Sequence, residues 1–167
     1  MLARLPVLQN FGNGDIISVM NRKYTIDHQP EQYGGAFLKG RHLIVTGQEE
    51  FLHRRVTDFL KKIAHQELLE LSRQKAARIG CQIHNVCIKD TKSRWGSCSS
   101  KNNINYNWRI VMAPDYVIDY LVSHEVAHLA HQNHSPAFWE CVAFLCPGYE
   151  EGRHWLKIRG KELYHYA

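Results

Sequence analysis

The chain has 167 residues, 44% of them hydrophobic and 22% charged, with a formal net charge of +5. That length suits one compact domain burying roughly two thirds of the surface its unfolded form exposes, and the balanced composition excludes intrinsic disorder. No apolar run reaches the about 18 residues of a membrane span, and five cysteines without C-x-x-C spacing exclude a disulfide scaffold and a zinc ribbon.

The stretch before Asn10 holds one Arg and too short an apolar patch for a secretion signal. The expectation is a cytoplasmic protein with reduced cysteines. Charge is uneven along the chain: residues 1–112 carry 17 Lys+Arg against 9 Asp+Glu, giving +8, and residues 113–167 carry 4 against 7, giving −3. A basic first part suits either an anionic partner or plain solubility.

No internal repeat or low-complexity tract appears. The chain divides into a strand-rich start (1–47), a long helix (48–80), a hairpin region (81–112) and a helical part (113–167). Residues 16–19, 23–27 and 42–45 alternate or cluster apolar side chains between Gly, Asn and Pro signals, as short strands and hairpins do. Leu52, Val56, Phe59, Leu60 and Ile63, then Leu68 and Leu71, recur at steps of three and four, which predicts an amphipathic helix over 49–79 ended by Gly80. Residues 82–89, 94–97 and 104–112 read as strands, the last two joined by a Ser, Lys and Asn-rich turn. Pro114 and Asp115 open a helix running to about His131. Ser135-Pro136 opens another that carries Phe138, Trp139 and Val142 inward, and Cys146-Pro147-Gly148 stops it before a last helix holding Trp155, Leu156 and Leu163. The class is α+β: antiparallel strands and hairpins packed on the helix that begins at Pro114, with a helical C-terminus.

That helix contains His124-Glu125-Val126-Ala127-His128, and an i, i+4 pair projects from one face about one turn apart, so both imidazoles can hold one ion. A catalytic zinc needs a third protein ligand and an open position for water, and His134 arrives just ahead of the Ser135-Pro136 helix start. Random placement gives roughly 0.003 occurrences of this three-histidine pattern in a chain of this composition. The expected set is one Zn2+ on His124, His128 and His134, with Glu125, about 100 degrees round the helix from the ligands, as the general base for a zinc-bound water. His131 is read as a solvated helix-end residue. The spacing is that of metzincins, but His131 stands at their turn glycine and no methionine follows residue 112 to make a Met-turn; Asn133, which tolerates left-handed backbone, is suited to the turn instead.

Ser93-Arg94-Trp95-Gly96-Ser97-Cys98-Ser99, then Asn105-Tyr106-Asn107-Trp108-Arg109, the helix with His124, Glu125 and His128, and His134-Ser135-Pro136-Ala137-Phe138-Trp139 together resemble the YgjP-like metallopeptidase family, with SprT-like proteases as more distant relatives. The close match covers about residues 91–145. The resemblance implies a minimal zincin fold, His124, His128 and His134 as ligands and Glu125 as the catalytic carboxylate, the same four residues reached from spacing.

Arg94 and Gly96 are candidate substrate contacts: the strand they start is read as lying over the metal helix, where an exposed edge can pair with an extended peptide, Gly96 permits close backbone approach and Arg94 can hold a carboxylate or phosphate. Trp95 reads as core, and Cys98 as neither nucleophile nor ligand. For the oxyanion, Tyr120, Tyr149, His154 and Tyr164 are candidates, each better explained by packing or surface. Peptide-bond hydrolysis leads. A second reading is a metal-dependent hydrolase of nucleotides or phosphate esters, from the basic Lys89, Lys92, Arg94, Lys101 and Arg109; a third is a nucleic-acid-associated metal-binding module.

Overall fold

Ile17 and Val19 face inward from β1 (Ile16–Val19), and Met20 and Asn21, both at positive φ (49° and 65°), turn the chain straight back into β2 (Arg22–Gln29). Two such residues in succession make the tight hairpin turn whose twist matches that of its strands. The pair is antiparallel, with Ile16 opposite Thr25. This computed structural model describes residues 8–167, so most of the stretch read as too short for a secretion signal lies outside the described residues.

A second hairpin, β3 (Ala36–Lys39) and β4 (His42–Thr46), turns at Gly40, whose φ is +60°. Strand β3 is absent from the sequence reading because its four residues sit between glycines and are buried only in part. Strand β4, with Leu43 and Val45 fully buried, takes the sheet interior beside β2, giving the order β1-β2-β4-β3. Its pairing with β2 is parallel, where hairpins alone were expected.

The apolar steps counted from Leu52 form α1 (Leu52–Arg78), entered through a 3-10 turn at Glu49–Phe51. Leu52, Val56, Leu60, Ala64 and Leu68 form one buried stripe, the larger of them each worth about 1.5–3 kcal/mol when removed from water. Gly80 at φ +67° ends the helix as expected: Cys81 N donates to Ala76 O at 2.9 Å and Gly80 N to Ala77 O at 3.2 Å, a pattern that satisfies the last carbonyls.

The second sheet joins β5 (Asn85–Lys89), β6 (Gly96–Cys98) and β7 (Asn103–Asn107) in the order β5-β7-β6. Ile104 and Tyr106 are fully buried, so β7 occupies the middle, antiparallel to β6 and parallel to β5. The strand expected to reach 112 stops at Asn107, whose side chain accepts from Arg109 N at 3.0 Å and caps a 3-10 turn over Trp108–Met112. The strand expected over 94–97 begins at Gly96, leaving Arg94 and Trp95 in the loop before it.

Helices α2 (Asp115–Ala127), α3 (Pro136–Leu145) and α4 (Tyr149–Arg159) complete the chain with a 3-10 segment at Gly160–His165. Ser135 caps α3 as predicted, its Oγ accepting from Phe138 N at 3.3 Å with Pro136 in the first turn. Helix α2 is apolar nearly all round, which is the pattern of a buried helix; it packs against α1, α3, α4 and β6. It ends earlier than expected, at Ala127, and the turn through His131 follows as a looser coil. Asn133 is not among the residues at positive φ, so no left-handed residue makes the turn there. No described helix is long and apolar enough to cross a membrane.

Candidate metal centre

One turn of α2 separates His124 from His128, and the chain leaving α2 folds back so that His134 faces both. One ring nitrogen of each comes within 4.8 Å of those of the other two, and His134 Nε2 lies 3.2 Å from His128 Nε2. The pocket has an aromatic floor: Phe138 lies 4.5 Å from His128 and 5.1 Å from His124, ring centre to ring centre. Capping at Ser135 starts α3 where it does, and that brings Phe138 beneath the histidines.

The rings are held from behind. His128 Nδ1 lies 3.1 Å from the His131 carbonyl, and a carbonyl can only accept, so Nδ1 carries the proton and Nε2 offers its lone pair to the centre. His131 therefore contributes through its main chain, while its side chain stands outside the cluster. His124 Nδ1 lies 3.2 Å from the Tyr120 hydroxyl, one turn earlier on α2. Burial, and then the neighbouring imidazoles, lower His124 to about 4, and burial lowers His128 as well. Both are neutral near pH 7, the form in which imidazole binds a metal.

Glu125 is 4% exposed. Its Oε1 lies 3.9 Å from His124 Nε2, and its Oε2 is buried without a hydrogen-bond partner. Burial raises this carboxyl to about 8, with the charge of Arg94 pulling the other way. An orphaned carboxylate oxygen is costly unless something else satisfies it. Beside three converging imidazoles, this donor set fits a divalent metal with a water molecule next to Glu125.

Strand β6 is the free edge of its sheet and lies along α2. Gly96 touches Glu125: a Cβ there would stand 2.9 Å from Glu125 Cγ. Trp95 is half-buried, packed 5.0 Å from the Tyr164 ring and against Gly160, so it is less a core residue than a wall beside the centre. The Tyr164 hydroxyl donates to Thr91 O at 2.6 Å and thus braces the loop before β6. Tyr149 stacks on Trp139 at 5.5 Å, and His154 is exposed. Cys98 is pushed up to about 11 by burial and then by Glu125, and stays a thiol.

Arg109, counted among cations facing an anionic substrate, is instead 3% exposed and paired with Asp90 at 2.5 Å. Conversely, sequence reading missed Gly152 and Arg153. A Cβ on Gly152 would lie 2.6 Å from Tyr120 Cβ, so the glycine is what lets α4 lie against α2, and Arg153 then stands with its guanidinium 4.4 Å from the centre of the Trp139 ring. A glycine inside a helical pattern was the available signal.

This fold, with its cluster of three imidazoles, is that of a metal-dependent hydrolase. A family model described as YgjP-like, metallopeptidase domain, matches residues 2–159, and the chain belongs to that family. It is accordingly a metal-dependent peptidase. Among solved structures, the crystal structure of the metallopeptidase zymogen of Pyrococcus abyssi abylysin is similar, with a TM-score of 0.49 and 24% identity over 55% of this chain and 95% of that one. No curated protein matches the sequence.

Proposed function

We propose that the protein is a zinc peptidase in which His124, His128 and His134 hold the metal and Glu125 is the general base. The observation that carries this is the partnerless, buried Glu125 Oε2 beside three converging imidazole nitrogens. Bound zinc supplies Lewis acidity, which brings the pKa of a water molecule from about 15.7 toward about 7 and polarises a carbonyl. Glu125 would take up that water's proton at its free oxygen and return one to the leaving amine. Tyr120 and the His131 carbonyl hold the two α2 imidazoles in place. An extended peptide pairs with the open edge of β6, where Gly96 keeps the backbone close to Glu125 and Arg94 stands ready to meet a carboxylate. Five unpaired cysteines suit a reducing, cytoplasmic setting.

The test is a peptide library offered to the zinc-loaded protein, the chelated protein and Glu125→Gln. Cleavage by the first alone, with zinc content unchanged in Glu125→Gln, supports the reading. Equal cleavage by Glu125→Gln, or none by any form, rejects it.

Hydrolysis of a nucleotide or phosphate ester is the second reading, supported by Lys89 and Arg94, which line the cleft beside Gly96. The same zinc-loaded protein incubated with a nucleotide panel tests it.

A further inference from the structure

Two clefts open on either side of Gly96 and share Trp95 and Gly96 as a common wall. The first, about 310 Å³, runs past His124 and Glu125 and is flanked by Arg153 and Lys157 of α4. The second, about 290 Å³, follows the loop into β6 and is flanked by Lys89 and Arg94. Glu125 is the single carboxylate in either lining, against four cations.

Among the described residues three cations are neutralised by ion pairs, and none of the three lies in either cleft. Lys75, Arg109 and Arg159 each hold a carboxylate, at 2.5, 2.5 and 3.0 Å. Among the described residues, Lys89, Arg94, Arg153 and Lys157 have no carboxylate within 4.0 Å, and all four are exposed. Arg153 and Lys157 are four apart on α4 and share a face. The Arg153 guanidinium rests on Trp139, itself 6.0 Å from His134, so its charge is held beside the centre rather than left to wander in solvent. Gly152, one residue before Arg153, packs on Tyr116 and Tyr120 of α2 and so sets the exposed Arg153 face beside that helix. A trough lined by one sign of charge attracts and orients ligands of the other.

We infer that this trough selects substrates bearing anionic groups on both sides of the bond that is cut. On the peptidase reading, on which the inference rests, those groups are Asp and Glu side chains flanking the scissile bond; phosphates offer the same oxyanion chemistry. Arg153 and Lys157 hold the group on one side of Gly96, and Lys89 and Arg94 the group on the other.

The experiment compares fluorogenic peptides identical except for flanking Glu, Gln or Lys, using the zinc-loaded full chain at low and high salt. The acidic peptide should show kcat/KM about tenfold above the Gln peptide, a preference that shrinks with salt. Arg153→Gln and Lys157→Gln should each remove most of it, whereas Lys161→Gln, an exposed cation outside both clefts, should not. In parallel, the same peptides and a nucleoside triphosphate are titrated by anisotropy or competition onto Glu125→Gln. If the acidic peptide and the triphosphate bind no tighter than the Gln peptide, the inference is overturned whatever is cleaved. If both bind tightly through Arg153 while no peptide is cut, the anionic trough stands and the peptidase reading falls.

Discussion

Gly96 and Glu125 are in contact: a Cβ on residue 96 would lie 2.9 Å from Glu125 Cγ and 3.1 Å from the Asn105 carbonyl oxygen. The first neighbour is the side chain proposed to move the proton and the second is strand backbone, so neither can yield freely. Gly96→Ala should therefore displace Glu125 and lower kcat/KM by about 10- to 100-fold, the scale of a misplaced catalytic group. Zinc content should not change, since the atoms nearest to that Cβ belong to Glu125 and Asn105 and not to a histidine of the cluster. Steady-state kinetics with metal analysis checks both. Unaltered turnover would show that the edge of β6 has room and that the contact does not position Glu125.

Tyr120 and His124 are joined by a 3.2 Å hydrogen bond between the phenol and Nδ1. Groups that orient metal-bound imidazoles typically cost 10- to 100-fold in metal affinity when removed. Tyr120→Phe keeps the ring, which burial fixes against Tyr149, and removes the hydroxyl alone. Zinc affinity, measured by competition with a chromophoric chelator, should fall by about tenfold, while the folded protein keeps its thermal midpoint. A Tyr120→Phe protein that binds zinc as tightly as the parent would reduce Tyr120 to packing.

Why the histidine pair was legible and Arg153 was not follows from the range of the interactions. His124 and His128 meet through helix periodicity alone, and Ser135-Pro136 announces the cap that turns His134 toward them. Arg153 reaches the centre through α4 lying on α2, a tertiary contact that leaves only a mid-helix glycine as its trace. The same holds for the sheets. Sequence patterning marked β1, β2, β4, β5, β6 and β7, but the parallel pairings of β4 with β2 and of β7 with β5 depend on which strand is buried deepest, and such patterning does not encode that. Arg109 shows the reverse error, a cation that reads as surface and is buried because Asp90 and the Trp108 and Tyr164 rings surround it.

Gly152 offers a test of that helix contact on stability. A methyl at this position meets Tyr120 Cβ at 2.6 Å and Tyr116 O at 2.8 Å, both on α2, and no flexible side-chain end can step aside. In an isolated helix Gly→Ala would stabilise by about 0.5–1 kcal/mol, but overpacking of a closed contact costs typically 1–3 kcal/mol. The clash wins. Gly152→Ala should lower the urea midpoint and, by shifting Arg153, weaken binding of the acidic peptide; a more stable Gly152→Ala protein would mean that helix propensity outweighs the contact.

Arg109 and Asp90 give stability a dependence on pH. Burial alone would raise the Asp90 carboxyl, but the Arg109 hydrogen bond and charge outweigh it and hold it below the ordinary carboxylate range. A carboxyl lowered by folding contributes stability that is present above its unfolded pKa, about 3.9, and is lost as pH falls through the folded value. At neutral pH, Asp90→Asn leaves the buried Arg109 charge with neutral acceptors only, the new amide oxygen and the Tyr166 carbonyl. The cost should be about 1–2 kcal/mol, kept modest because half of the Asp90 side chain is in solvent. Urea unfolding of the two proteins from pH 7 down to about pH 3 should show the gap closing only at the acid end, as parent Asp90 takes up its proton. A gap that stays constant across that range would assign the loss to packing instead of to the ion pair.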